Sequence, residues 1–326
     1  MEKTCIIGCG AIFARHSEAV EALKEKTVLA AVCDIKKEKA IAAAEKFGCK
    51  AYFDYVKMLD EVKPTVVHVC TPHYLHFEMA AECLKRNINV VLEKPSAETY
   101  EKALKLCEIA KNSSAKVCVC FQNRYNKTSQ ALKTKISSGK YGKIYGARAF
   151  VTWSRDDAYY AESGWRGKMA TEGGGVLINQ SIHTLDLMQW VMGDVVKVEG
   201  TAVNHRFKHI NDVEDTAEIA LDFANGSRGI FFATVGYVKD SPIFLEIITE
   251  KAVFTLCDSL KINYADGSVE TVENDRVATG EKAYWGDSHT LLISDFYSKI
   301  HDPEAFWVSP EEGAKCMRIL NEVNRL

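Results

Sequence analysis

Three groups of residues combine side-chain type and spacing in ways that suit chemistry. The first is Gly8-Cys9-Gly10-Ala11-Ile12-Phe13, which joins an apolar run to a helical one. Gly8 permits a tight turn. Gly10 has no side chain, so the backbone can approach a pyrophosphate seated on a helix N-terminus. Phe13 stands where the usual motif has its third glycine, a position that governs helix–strand packing. Asp34 follows Gly10 by 34 − 10 = 24 residues, near the ~20 at which a carboxylate reaches an adenosine ribose. Such a carboxylate repels a 2′-phosphate and favours NAD over NADP. Lys36 and Lys37 offset part of that repulsion, so NADP stays compatible.

The second group lies after apolar runs that read as strands of an open parallel sheet, where ligands gather beyond the carboxyl ends. It comprises Thr71-Pro72-His73-Tyr74-Leu75-His76, Glu93-Lys94-Pro95 and Phe121-Gln122-Asn123-Arg124. Lys94, between a Glu and a Pro, suits a hydrogen-bond donor or an acid/base. His73 reads as a solvent-exposed loop residue. The third group follows Glu172 and the run Gly173-Gly174-Gly175. Asn179, His183 and Asp186 are spaced by four and three, which puts them on one face of a helix expected over about 174–192. A histidine between an amide and a carboxylate suits a general base; a satisfied core histidine is the plainer alternative. Trp153, Tyr159, Tyr160 and Trp165 form either core or a sugar-stacking wall. The interleaved Arg155, Arg166 and Lys168 argue against full burial.

The elements that must hold these residues follow from periodicity. Strands are expected at 3–7, 28–33, 50–53, 65–70, 88–92 and 116–120, with helices at about 11–25, 36–47, 75–86 and 98–112. That alternation reads as an α/β parallel sheet covered on both faces. Past residue 140 long β-rich runs appear at 144–153, 195–203, 214–223, 228–238, 243–249 and 252–256. Asn225-Gly226 and Asp266-Gly267 read as hairpin turns with positive φ at both central residues. Further helices are expected at 288–300 and 310–323. The second half is therefore α+β, and the boundary falls near residue 123.

Composition excludes several classes. The chain has 326 residues, 47% hydrophobic and 26% charged, with a formal net charge of −3, which suits two globular domains. No basic patch points to nucleic acid, and no apolar stretch approaches the ~18–20 residues that span a bilayer. The N-terminus runs into a strand without a signal-peptide pattern. Eleven scattered cysteines suit a reducing, cytoplasmic setting. Cys118 and Cys120 alternate along a strand and read as core, without a second pair for zinc.

The Gly8–Ile12 turn, Thr71-Pro72 with His76, Glu93-Lys94-Pro95, Trp165-Arg166 and the glycine-rich segment bearing His183 resemble the glucose–fructose oxidoreductase, inositol dehydrogenase and rhizopine-catabolism (Gfo/Idh/MocA) family over essentially the whole chain. The resemblance implies a Rossmann domain over 1–123. It also implies an α+β domain with an open, mostly antiparallel sheet over 124–326, used in substrate binding and oligomer contacts. The implied cofactor residues are Gly8, Gly10, Ala11, Ile12 and Asp34, then Thr71, Pro72, His76, Glu93, Lys94 and Gln122, with Trp165 and Arg166. Implied substrate residues are Lys94, Arg124, Tyr160, Asn179 and His183, of which Lys94 and His183 are catalytic. Many relatives have an Asp where this chain has Asn179, which leaves Asp186 as a substitute carboxylate.

The expected activity is reversible hydride transfer between NAD(H) and a secondary alcohol or ketone of a sugar, polyol or sugar derivative. His183 would take the hydroxyl proton, Lys94 would hydrogen-bond the same oxygen, and no metal is needed. A homodimer or homotetramer with a small-molecule substrate, and no nucleic-acid or membrane partner, is expected. Two other readings stay open. An NAD-dependent glycosidase would release sugar without net NADH; an inert nicotinamide-binding regulator would have no use for the Lys94 and His183 pair.

Overall fold

The computed structural model describes residues 1–274 and 288–326. The chain forms two compact units, one of Met1–Cys120 with His289–Lys315 and one of Phe121–Ser288 with Cys316–Leu326.

The first unit alternates β1 (Glu2–Ile7), α1 (Phe13–Ala22), β2 (Thr27–Cys33), α2 (Lys37–Phe47), β3 (Lys50–Tyr52), α3 (Tyr55–Val62), β4 (Val66–Val69), α4 (His73–Lys85), β5 (Asn89–Leu92), α5 (Tyr100–Lys111) and β6 (Val117–Val119). Its strands pair in parallel in the order β3-β2-β1-β4-β5-β6, the doubly wound order that opens a crevice where β1 and β4 diverge. Residues pointing to either face are buried, among them Cys5, Ile6, Val67, Val90 and Val91, as a sheet covered on both sides requires. Register aligns Cys33, Ile7, Val69, Leu92 and Val119 in one row across five strands. One residue further on, Asp34, Gly8, Cys70, Glu93 and Cys120 leave the sheet together.

Helix α3 was not expected. Asp54 caps it, its side chain accepting from the Lys57 N–H at 3.0 Å. Helix α4 starts at His73, two residues earlier than its periodicity suggests, with Pro72 at the cap. His73 is therefore 3% exposed and not a solvent-exposed loop residue. The linear partition at residue 123 also misses a return of the chain. Leu292, Ile293, Phe296, Phe306 and Val308 are apolar and buried. The Val308 carbonyl accepts from Val119 N–H at 2.9 Å, so this stretch completes the first unit at β6.

In the second unit the chain continues through α6 (Lys127–Ser137), β7 (Ile144–Thr152), α7 (Asp157–Ala161), α8 (Met169–Glu172), α9 (Ile182–Met192), β8 (Val195–Val203), β9 (Thr216–Phe223), β10 (Arg228–Thr234), β11 (Phe244–Thr249), β12 (Ala252–Cys257), β13 (Ser259–Tyr264) and β14 (Val269–Val272). Then come α10 (Ser288–Ser298), whose His289 onward belongs to the first unit, α11 (Pro310–Glu322) and β15 (Asn324–Arg325). The nine strands run β14-β13-β12-β11-β7-β10-β9-β8-β15, antiparallel except β10–β7 and β15–β8. Helix α9 packs on this sheet where Gly229 of β10 leaves room; a Cβ there would lie 2.2 Å from Met188 Cε. Both hairpin turns form, but only the glycines, Gly226 (φ +82°) and Gly267 (φ +86°), take positive φ. Phe223 N–H bonds Ser227 O, and Tyr264 N–H bonds Ser268 O. These are three-residue loops with glycine in the left-handed place, in place of the two-residue turns expected.

Candidate active site

Gly8 takes φ +97°, and a Cβ there would lie 2.5 Å from the carbonyl oxygen of Cys70. Only glycine lets β1 end this close to β4. Around Gly10 nothing lies within 4 Å of where a Cβ would be, so the turn presents bare backbone. Asp34 Oδ2 accepts from Cys9 N–H at 2.8 Å and Oδ1 from Lys36 N–H at 2.8 Å. The carboxylate fixes the turn while each oxygen keeps a further lone pair. No side chain caps α1, and no acidic residue occupies its first turn, so the positive end of the helix is open to an anion although Phe13 and Arg15 N–H bond the Gly10 and Ile12 carbonyls.

The neighbouring strand ends are tied to one another. His76 Nδ1 faces Pro95 O at 2.7 Å and Nε2 faces Thr71 O at 2.8 Å. Burial lowers its pKa, although two carbonyl partners favour a proton on each ring nitrogen. His76 therefore clasps the Thr71-Pro72 and Lys94-Pro95 loops. Lys94 is half-buried, and the Lys94–Pro95 peptide bond is cis. Glu93 turns inward, away from the expected cofactor contact. Its Oε1 accepts from His16 Nε2 at 2.9 Å and from His289 Nε2 at 3.3 Å. Burial alone would raise its pKa, but those two donors hold it well below the carboxylate range.

In the second unit a single 3₁₀ turn, Gln122–Tyr125, follows β6. Gln122 is fully buried, and neither its Oε1 nor its Nε2 has a protein hydrogen-bond partner. Buried amides of this kind are rare, and a ligand carboxamide or hydroxyl fits both atoms. Arg124 was expected at the substrate. It lies 1% exposed with Asp186, giving Nε to Oδ2 at 2.8 Å and a second guanidinium nitrogen to Oδ1 at 2.6 Å. Both Asp186 oxygens thus serve a bidentate pair with Arg124.

Asn179 does not share a helix with His183, because α9 begins at Ile182. Gly173 and Gly174 take positive φ, and a Cβ on Gly175 would lie 1.8 Å from Glu214 O. The glycine run wraps Glu214, whose backbone and side-chain oxygens accept from Val176 and Leu177 N–H. His183 is 5% exposed on α9, edge-on to Phe121 with ring centres 6.0 Å apart. Asn179 Nδ2 donates to Glu172 Oε1, and Gly167 N–H donates to Glu172 Oε2 at 2.5 Å. Burial raises the Glu172 pKa to about 7, against the pull of Gly167, Asn179 and Arg166.

Around this carboxyl stands an aromatic and cationic wall. Arg166 lies 4.5 Å over the Tyr159 ring and 5.0 Å over Trp165; Arg155 lies 5.3 Å over Trp153 and 5.2 Å over Tyr159. Tyr159 Oη accepts from Gln180 at 3.0 Å. Trp153 and Tyr160 are buried, Tyr160 against Phe207 with ring centres 5.1 Å apart. Sequence reasoning missed His16, His68, His289 and the role of Glu172. Residues 16, 68, 93 and 289 meet only through the fold, and no spacing announces them.

Residues 3–121 match the model of an oxidoreductase family with an NAD-binding Rossmann fold, and residues 129–255 match the GFO/IDH/MocA C-terminal domain. D-Glucoside 3-dehydrogenase of Escherichia coli is 32% identical over 59% of this chain and 54% of its own length. Levoglucosan dehydrogenase of Pseudarthrobacter phenanthrenivorans is 25% identical over 78% of this chain and 60% of its own. The matched region thus spans little more than half of these relatives. The crystal structure of the WlbA dehydrogenase from Bordetella pertussis, in complex with NADH and UDP-GlcNAcA, is similar with a TM-score of 0.85 at 25% identity. That match covers 98% of this chain and 94% of the other.

Proposed function

Because this chain belongs to the Gfo/Idh/MocA family of oxidoreductases, we propose that it transfers a hydride reversibly between NAD(H) and a secondary alcohol or ketone of a sugar, polyol or sugar derivative. One observation carries the reading furthest. Sheet register brings Gly8, Asp34 and Glu93-Lys94 out of β1, β2 and β5 at one level, beside a helix N-terminus that no side chain caps. That helix N-terminus holds the pyrophosphate and Asp34 the adenosine ribose, which favours NAD over NADP. Gln122 offers its amide to the cofactor or the substrate. The bound nicotinamide supplies the hydride acceptor. Lys94 donates a hydrogen bond to the reacting oxygen and stabilises the charge that grows there, and His183 takes the hydroxyl proton. Asn179 orients the substrate, and Trp165 and Arg166 contact the cofactor. A cytoplasmic homodimer or homotetramer, with the second unit supplying substrate and subunit contacts and no nucleic-acid or membrane partner, completes the proposal.

The test is a panel of polyols, sugars and sugar nucleotides, followed by NADH absorbance with each cofactor. Turnover should appear and fall about 10²–10⁴-fold in both His183→Ala and Lys94→Ala, with NAD affinity little changed in His183→Ala. Sugar release without net NADH would point to glycoside cleavage. Tight NAD binding with no turnover across the panel would point to a regulator.

A further inference from the structure

Glu93 adjoins Lys94, yet its carboxylate starts a buried chain that leads away from it. His16, on the buried face of α1, passes from Glu93 to His68 with Nδ1 to Nδ1 at 3.0 Å. His68 Nε2 meets Tyr297 Oη at 3.0 Å, which meets Thr4 Oγ1 at 2.5 Å. Thr4 Oγ1 meets Thr27 Oγ1 at 2.7 Å, and Thr27 Oγ1 donates to the Glu2 carbonyl at 3.2 Å. None of these side chains belongs to a residue more than 7% exposed.

Both ends of the chain are oxygens that only accept, a carboxylate and a carbonyl. Six links join them through five groups, namely His16, His68, Tyr297, Thr4 and Thr27. Each hydroxyl and each neutral imidazole brings one proton, five in all, and six bonds need six. Where all six links are hydrogen bonds, one imidazole carries both ring protons. His68 is the poor place for it, since burial and the adjacent His16 push its pKa well below 6.5. His16 faces the carboxylate and is the good one. The same segment is held twice more: Pro95 O by His76, and Ser96 by Gly313, where a Cβ would lie 3.0 Å from Ser96 Cβ and Oγ.

We propose that His16, with both ring protons, and His289 are positioning residues for the transfer reaction, locking the Glu93 carboxylate and so fixing the backbone that carries Lys94. This rests on the reading that Lys94 hydrogen-bonds the reacting oxygen. His16 Nε2, Glu93 and His289 Nε2 also lie close enough to hold a metal ion, which would replace the Glu93–His16 bond and leave five bonds for five protons, so the metal content of the protein is part of the test.

The test compares His289→Leu, His289→Gln and Lys94→Ala with the unaltered protein, using NAD and the panel compound turned over fastest. His289→Leu should lower kcat about 10–100-fold, the order expected of a misplaced catalytic group, with substrate KM and NAD Kd within about threefold. His289→Gln, whose side-chain N–H can replace the imidazole donor, should recover most of it. Unchanged kcat in His289→Leu, or no recovery in His289→Gln, overturns the proposal. If Lys94→Ala keeps its kcat, the underlying reading fails; if only His289→Leu does, this inference fails alone. Nitrogen-15 NMR of the unaltered protein at neutral pH, which needs no variant to fold, should show His16 protonated on both ring nitrogens. A neutral His16 tautomer, or one equivalent of tightly held zinc in the purified protein, overturns it as well.

Discussion

Glu93 and Glu172 are buried to a similar degree, 7% and 1% exposed, yet they are held at opposite ends of the titration range. In the first unit Glu93 receives two imidazole N–H groups on one oxygen and stays ionised. In the second unit Glu172 receives one amide N–H on each oxygen, and burial prevails, raising its pKa to about 7. Burial sets the penalty for charge, and the donors decide whether it is offset. Two imidazole donors on one oxygen outweigh burial where one amide on each oxygen does not.

The sharpest way to break this comparison is Glu93→Leu. Both imidazole donors would lose their acceptor, and the protein should lose about 3–5 kcal/mol in denaturant unfolding at pH 7. A pKa held below its unfolded value gives stability that is present above that value and lost as pH falls. The gap between variant and unaltered protein should therefore hold down to about pH 4.5 and narrow as pH falls below it. A loss under about 1 kcal/mol would mean that the pair does not hold the charge.

Glu172→Gln should show the reverse slope. With a pKa raised from 4.5 to about 7, the group's contribution is complete below 4.5 and is lost as pH rises through 7. The rise corresponds to roughly 3 kcal/mol. The stability of Glu172→Gln relative to the unaltered protein should climb by up to that amount across this window. Parallel stability curves for the two proteins would end the contrast.

Asp34 extends the comparison to a half-buried carboxylate held by two backbone N–H groups. Asp34→Ser should act on the ligand, narrowing the NAD-over-NADP ratio of Kd values by about tenfold, or 1.4 kcal/mol. Calorimetry with both cofactors reads it; an unaltered protein that prefers NADP removes Asp34 from the ribose. Smallest is Arg166→Gln. Arg166 lowers the Glu172 pKa, so its loss should move the Glu172 midpoint above 7, followed by the carbon-13 shift of that carboxyl. A downward move would show that the guanidinium is not felt there.

Legibility in the sequence followed the range of the interactions involved. Apolar runs announced all six strands of the first sheet, and the Gly8 turn with Asp34 announced its mouth, because each is a pattern within about thirty residues. The Asp54 cap and α6 went unread among charged surface residues. Asn179 was misplaced because helical spacing continued through residues that three glycines bend around Glu214. Arg124 and Asp186, 62 residues apart, gave no sign of their pairing. His16, His68 and His289 each look like ordinary core histidines until the sheet gathers them.

The return of His289–Lys315 to the first unit has a consequence during synthesis. When Cys120 has been made, the sheet is complete in sequence, but Glu93 lacks His289 and Val119 lacks the Val308 carbonyl. The next 289 − 120 = 169 residues must follow before either arrives, about ten to thirty seconds at ordinary translation rates. Through that interval the nascent nucleotide unit has an unfinished edge at β6 and a buried carboxylate with one of its two donors missing. It can therefore settle only after nearly the whole second unit has left the ribosome.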